Sequence, residues 1–412
     1  MQRSLAEELV ALGLRSGLDA VGMASAEPFG TTRRCLESRR AAGLHGGMAF
    51  TYRDPARSTN PELALPGARS LVVGARSYHR AEPTGSWPGA PPIATAAGGE
   101  VGPPAPAPPA AEGAGSSPPP PRAVPLGRVA RYSWRDHYEP LRAALGAVAG
   151  RLRAEGWQAR VLVDDNSLVD KEAAYRAGLG WYGKNTLLLL PGRGSWFVLG
   201  SVVTDAPLPP APAPVADGCR SCARCLPACP TGALVAPGIL DANRCLAWLL
   251  EAPGPFPADL RPSLGGRVYG CDDCQEACPA NRTAARRRPP PPAGPTDEPW
   301  VDLVELLAED DSSLLARFGR WYVPRRQARY LRRNALVALG NVGDGAEPGV
   351  AGALVAALAH SDPLVRAHAV WATARLGRSD LLVAMARDEG DAGVLAELEA
   401  AGAVAAGAAD QP

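Results

Sequence analysis

Cys219-Arg-Ser-Cys222-Ala-Arg-Cys225-Leu-Pro-Ala-Cys229-Pro230 and its echo, Cys271-Asp-Asp-Cys274-Gln-Glu-Ala-Cys278-Pro279, decide how this chain is read. The first run has the spacing C-x2-C-x2-C-x3-C-P, which ligates iron–sulfur clusters: three thiolates clamp one cubane, and the fourth, followed by proline, crosses to a second. The echo lacks its first cysteine, because Val268 stands there, and Cys245 between the runs is the nearby replacement. The count then closes on two 4Fe–4S clusters. One takes Cys219, Cys222, Cys225 and Cys278; the other takes Cys229, Cys245, Cys271 and Cys274; of nine cysteines only Cys35 is left over. A buried, inert thiol is expected of Cys35. Two C-x2-C pairs also suit structural zinc, but the two Cys-Pro ends and the closed count favour the clusters. A disulfide framework fits poorly with a long chain that shows no secretion signal. The motif implies electron transfer without saying where the electrons go.

The 412 residues are enough for two or three domains. A hydrophobic share of 46% and a charged share of 21% are ordinary for a globular protein. A net charge of +1 supplies no global field to recruit nucleic acid, so such binding needs local patches. No apolar run is long enough to span a bilayer, and residues 1–16 lack an apolar h-region and a twin-arginine motif. A cytoplasmic protein with reduced cysteines is the expectation.

Along the chain, residues 4–15 place Leu5, Leu9 and Leu12 at helical spacing. Residues 17–22 turn into a short strand, 31–42 read as a helix, and 43–50 form a glycine-rich loop whose His45 reads as solvated. Residues 70–78 are a buried strand. Residues 81–125 are Pro, Ala, Gly and Ser, a composition that buries no core, and read as a disordered insertion. A helix over 138–155 precedes a strand over 158–164 that ends in acid, then a helix over 168–177, a glycine turn over 178–186 and a strand over 195–204. Strand-end carboxylates are where α/β folds place chemistry. Asp165 reads as the cap of the next helix, while Asp164 is open between cap and acid. Lys184 and Asn185 offer a cation and an amide to an acidic or amide-bearing ligand. Residues 241–250 read as a helix carrying Cys245.

The C-terminal part is helical. Residues 362–377 have the turn, arginine and small-residue pattern of a HEAT repeat, and 331–340 match its second half about 40 residues earlier. So few repeats should pack on the body of the protein. Arg325, Arg329 and Arg332 or Arg333 share one helical face, with Trp321, Tyr322 and Tyr330 interleaved. This is a phosphate-reading face with stacking groups, or else a solvated helix paired to acids such as Glu309 and Asp310.

At this point the chain resembles the epoxyqueuosine reductases of tRNA modification. The resemblance rests on His45-Gly-Gly-Met48, Leu65-Pro-Gly-Ala-Arg-Ser70, Arg131-Tyr132, Ala177-Gly-Leu-Gly-Trp-Tyr-Gly-Lys-Asn-Thr186, Gly194-Ser-Trp-Phe197, Cys229-Pro-Thr-Gly-Ala233, Tyr269-Gly-Cys-Asp-Asp-Cys274 and the lone Cys245. It implies an α+β or α/β multidomain protein. An N-terminal α/β cobalamin-binding catalytic domain would span 1–80 and 126–210, and a ferredoxin-like double 4Fe–4S domain 211–285. A linker would follow over 286–299, then a HEAT-like tRNA-binding domain over 300–412. The implied reaction reduces epoxyqueuosine to queuosine at the wobble position, the last step of queuosine biosynthesis. Cobalamin would cycle between cob(II)alamin and Co(I). The resemblance assigns the proton-donating acid to Asp164, and cobalamin contacts to Arg57, Trp134, Trp181, Lys184, Asn185 and Thr186. It implies a tRNA anticodon stem-loop held by Arg325, Arg329, Arg332 and Arg333, an external low-potential electron donor, no membrane and a monomer.

The sequence departs from the family pattern at Ser133-Trp-Arg-Asp-His-Tyr138, at Asp170-Lys171 where Glu-Arg is common, and in the insertion. Two other readings use the same toolkit. A reductive dehalogenase-like enzyme would usually carry an export signal, and a simple electron carrier would not need the preceding domain.

Overall fold

The computed structural model describes residues 2–83 and 124–403. Most of the expected disordered insertion lies outside the described residues, but its flanks do not. The Ala81 amide donates to the Pro291 carbonyl at 2.9 Å, and Glu82 pairs with Arg128 at 2.6 Å and Arg131 at 2.9 Å. The ordered chain therefore runs past residue 80, because Glu82 neutralises two half-buried guanidinium groups.

Strands Ala20–Ser25, Ser70–Ser77, Phe197–Thr204 and Ala159–Leu162 lie side by side in that order. Every pairing is antiparallel. The N-terminal domain, expected to be α/β, is α+β instead, and the rule that places sites at the ends of parallel strands does not apply to it. Its strands have both faces covered, which is why they read as nearly continuous apolar runs. Val72 and Val202 pack with Leu9, Leu141, Leu145 and Leu152, from helices Gln2–Arg15 and Tyr138–Ala154. Leu71, Val73 and Val203 turn to the opposite face and pack with Leu168, Ala173 and Ala174 along helix Asp170–Arg176. Successive strand residues point to opposite faces, and each fully buried aliphatic side chain contributes roughly 1.5–3 kcal/mol.

A second sheet joins the parts of the chain. Arg267–Tyr269, Leu126–Val129 and Trp300–Asp302 pair in that order. One strand follows the insertion, one leads into the second cysteine run, and one opens the C-terminal helices. Those helices include Arg329–Val342, Pro348–Leu358, Pro363–Arg375 and Ala392–Ala400. Buried Leu331, Leu336, Leu354 and Val365 hold them together.

The helix expected over 241–250 is interrupted. Residues Ala242–Arg244 form a 3-10 turn, Cys245 is extended, and a separate helix Leu246–Glu251 follows. The arrangement puts Cys245 at the N-cap, before a helix end whose free amides face it.

Candidate redox cleft and acid site

The thiols occupy loops and helix starts. Cys245 caps Leu246–Glu251, with the amides of Ala247 and Trp248 directed at its sulfur. Cys278 caps Pro279–Arg287, with the amides of Ala280 and Asn281 on its sulfur and proline at the first helical position. Such amides favour the thiolate over the thiol. The thiols also divide by neighbourhood. Cys225 feels Cys278, Cys219 and Cys222; Cys274 feels Cys245 and Cys229; Cys271 feels Cys274. Two groups of four thiols result, and this donor set fits two cubanes. They differ in depth: Cys222 is exposed, whereas burial pushes the thiols of Cys245, Cys271 and Cys274 up.

Asp164 stands in the left-handed region, at φ 52°, in the loop after strand Ala159–Leu162. Its surface is open to solvent, yet protein on most sides raises its carboxyl above the usual range. Asp164 is thus exposed at its surface while its carboxyl feels enclosure, and several neighbours are raised in the same way. Asp170 is raised well above the ordinary value by burial and then by Asp164 and Asp165. The Asp164–Asp170 repulsion falls on Asp170, the carboxyl that ionises last. Tyr138 is raised by burial, then by Asp164 and Asp170. Glu251 is pushed up to about 7 by burial, against hydrogen bonds from Tyr132 and Tyr269, with Asp164 adding to the rise. The Tyr132 hydroxyl donates to Glu251 Oε1 at 2.7 Å.

Lys171 closes the back of the cleft. Burial lowers its ammonium, Arg39 adds to this, and Cys245, Asp170 and Cys274 oppose it. Its Nζ donates to the Thr186 carbonyl at 3.1 Å. Thr186 itself sits at φ 65°, a conformation that a β-branched residue rarely adopts. Asp170 and the thiols of Cys245 and Cys274 are therefore all neighbours of one lysine.

The glycine loop frames the opening. Trp248 Nε1 donates to the Gly46 carbonyl at 2.8 Å, and the Thr51 amide donates to Asn166 Oδ1 at 3.0 Å. The loop so ties the Cys245 helix to the Asp164 loop. Gly46, at φ +58°, leaves a Cβ no room: it would meet Trp248 Nε1 at 2.9 Å and the Ala242 carbonyl carbon at 3.0 Å. His45 Nδ1 and Trp181 Nε1 are buried without hydrogen-bond partners. Unpartnered ring nitrogens of this kind are donors or acceptors that a bound group with polar substituents would satisfy.

The remaining sequence-predicted residues scatter. Arg57 stands beside the Asp164 loop, with Nη2 at 3.3 Å from Ser167 Oγ. Lys184 Nζ donates to the Arg220 carbonyl at 2.6 Å, and Asn185 Nδ2 lies 3.5 Å from the Cys274 carbonyl, so both brace cysteine loops. Trp134 is buried in the core, and its indole donates to the Val129 carbonyl at 2.8 Å; it does not reach the cleft wall. Asp165 caps a turn at Ser167 instead of the next helix, whose N-cap is Val169. Cys35 is exposed, not buried.

The expected arginine face does not form. Arg333 is fully buried and donates to the carbonyls of Leu249, Leu250, Ala252 and Gly254. Arg332 is buried against Asp311 and the Glu309 carbonyl. Arg329 pairs with Asp362 at 3.5 Å. Trp321 and Tyr330 are core residues, with Trp321 stacked on Tyr269 at 4.4 Å. Arg325 lies in a kink at φ 51°, exposed beside exposed Tyr322. Sequence reasoning missed Tyr138 and Glu251 in the cleft and met Asp170 and Lys171 only as a departure in pattern. An acid six residues after Cys245 carries no signal until Tyr132 and Tyr269 fold over it.

Residues 218–281 match the family described as 4Fe-4S double cluster binding domain. Fold and site thus define an oxidoreductase built on a pair of iron–sulfur clusters. Among the described residues no helix is long and apolar enough to cross a membrane. An epoxyqueuosine reductase of Xanthomonas campestris pv. campestris is 33% identical, over 89% of this chain and 94% of that protein. One from Pseudomonas aeruginosa is also 33% identical, over 91% and 95%. A crystal structure of an epoxyqueuosine reductase with an epoxyqueuosine-modified tRNA-Tyr stem loop superposes with a TM-score of 0.81 at 27% identity, covering 97% of this chain and 98% of that one. The Bacillus subtilis enzyme, solved with an aspartate-bearing catalytic loop swung out of its active site, gives 0.77 at 28% identity, covering 97% and 99%. The chain belongs to the epoxyqueuosine reductase family.

Proposed function

We propose that this chain reduces epoxyqueuosine to queuosine at the wobble position of a tRNA anticodon, with cobalamin in the cleft and two 4Fe–4S clusters behind it. What supports the reading is a set of neighbours: exposed Asp164 acts on Asp170, and Asp170, Cys245 and Cys274 all act on the charge of Lys171. The substrate class is supported by the relative solved with its modified stem loop. The swinging catalytic loop of another relative supports a loop-borne acid.

Turning an epoxide into an alkene and water breaks two C–O bonds and consumes two electrons and two protons. Cobalamin, when bound, supplies a strong reductant at the carbon. Asp164 holds a proton for the departing oxygen, because burial keeps its carboxyl neutral to higher pH than usual. Asp170 stays neutral beside it and adds no second negative charge to the wall. Glu251, held at about 7 in contact with Tyr132, stores a further proton within electrostatic reach of Asp164. Lys171 offsets charge between acids and thiolates. Arg57, His45 and Trp181 are the groups we assign to holding the cofactor, and Lys184 and Asn185 position the cysteine loops. The C-terminal helices, read as HEAT-like, would present exposed Arg325 and Tyr322 to the RNA.

The test is anaerobic reconstitution with iron, sulfide and cobalamin, then an anticodon stem-loop bearing epoxyqueuosine, followed by nucleoside analysis. Queuosine is the expected product. Bound clusters and corrinoid with no queuosine formed would remove this substrate.

A further inference from the structure

The two groups of thiols give the protein an inner and an outer end. The inner group includes Cys245 and Cys274, which sit close enough to Lys171 to act on its charge. The outer group surfaces at exposed Cys222, among exposed Gly218, Arg220, Ser221 and Arg224. An electron bound for the cleft must enter at the outer end.

The charges there are unusual for this molecule. Most buried or half-buried arginines have a carboxylate: Arg131 has Asp272 and Glu276, Arg261 has Glu397, and Arg366 has Glu389. Arg220 and Arg224, which lie between the ligand cysteines, are exposed and have no acidic partner among the described residues. Neither have Arg286, Arg287 and Arg288, exposed at the far end of the helix that Cys278 caps. Lys184 adds a cation, fixed on the Arg220 carbonyl at 2.6 Å. Glu276 is held by Arg128 and Arg131, while exposed Asp217 accepts from the Cys219 amide, keeps its charge and offsets one of these cations.

We propose that this cationic rim around Cys222 is the docking face for an acidic protein carrying a low-potential one-electron centre. At each encounter the carrier loses one electron and the outer cluster gains it; two encounters supply one turnover, with no proton or bond change at the rim. Unpaired cations beside a redox centre steer an anionic partner and raise its association rate. A polyanionic RNA would also be drawn to such a rim. The carrier is favoured because the cations flank the exposed thiol at which an electron would enter. The proposal rests on the iron–sulfur reading and not on the identity of the substrate.

The experiment mixes the reconstituted, cluster-loaded protein with reduced flavodoxin, an acidic one-electron carrier, in an anaerobic stopped flow and follows cluster absorbance. The rate constant is expected to fall about tenfold or more as salt rises from low to high ionic strength. The double variant Arg220→Glu/Arg224→Glu should lower it about tenfold at low salt. Reduction by dithionite, iron content and stem-loop affinity should stay unchanged. Arg286→Glu/Arg287→Glu, outside the ligand loop, should lower the rate in the same direction and guards against misfolding in the first variant. A carrier rate indifferent to salt and to both variants would overturn the proposal. So would a loss of stem-loop affinity with the carrier rate intact, which would make the rim an RNA face. Because no substrate is present, failure here is separable from failure of the proposed reaction.

Discussion

Asp164 is the side chain to which the proposed reaction assigns the proton, and its backbone shows how to test that assignment. At φ 52° the residue occupies a region that asparagine tolerates nearly as well as aspartate. Asp164→Asn should therefore keep the loop, the clusters and the corrinoid while removing the proton. Turnover is expected to fall on the order of 10²–10⁴-fold, measured by nucleoside analysis alongside iron and cobalt content. The sign of the pH dependence follows from the raised carboxyl. The acid works when protonated, so the rate declines as pH rises through that raised value. Glu251 makes a second prediction. Its carboxyl moves from 4.5 to about 7 on folding, so the folded state holds more protons than the unfolded chain between those values. Stability then falls as pH rises through that window, by up to about 1.4 kcal/mol per pH unit. Glu251→Gln should flatten that slope in thermal melts taken between pH 5 and 8, and should remove a basic limb near pH 7 from the rate profile. An unchanged slope and profile would leave Glu251 as packing.

Elements explain what the residue pattern concealed. The double-cluster domain was legible because cysteines at fixed intervals need no tertiary context, and it is matched over residues 218–281; the role of Asp164 is proposed from an acid that closes an apolar strand. Cys245 was placed on a helix because Asp241 to Leu250 reads as periodic, but a ligand requires the helix to start after it. The α/β expectation for the N-terminal domain failed because strands buried on both faces read as apolar runs whichever way they pair. Asp170 and Lys171, by contrast, become informative only when helix Asp170–Arg176 swings its first turn toward the thiols. The glycine loop offers the sharpest element-scale test. Gly46→Ala places a Cβ at 2.9 Å from Trp248 Nε1 and 3.0 Å from backbone of Ala242, at positive φ. A cost of about 1–3 kcal/mol is expected from strain and overpacking. The Cys245 helix bears that strain, so roughly half of the bound iron should be lost in purified protein. Full iron retention would show that the loop yields and the helix does not.

At the scale of the molecule, one of the arginines expected to read RNA instead ties the C-terminal helices to the cluster region. Arg333 lies in helix Arg329–Val342 and reaches the carbonyls at the end of the Cys245 helix. Burial pulls its guanidinium down to about 9, still charged at neutral pH. Helix ends leave carbonyls without partners, and one planar cation with five donors satisfies several of them at once. A sequence shows the arginine and the helical face but not the carbonyls waiting about 80 residues earlier. Arg333→Met should strand those carbonyls in a dry interior at a cost of about 3 kcal/mol or more. The unfolding of a multidomain cluster protein is not two-state, so the readout should be local. Hydrogen exchange at the amides of residues 246–256 should accelerate, and iron should be released faster at the inner group of thiols. Stem-loop affinity of the remaining folded protein should not change, since Arg333 has no surface to offer RNA. The opposite pattern, weakened RNA binding with unchanged exchange, would require Arg333 to leave the interior. The C-terminal helices would then grip RNA with the residue that now fastens them to the clusters.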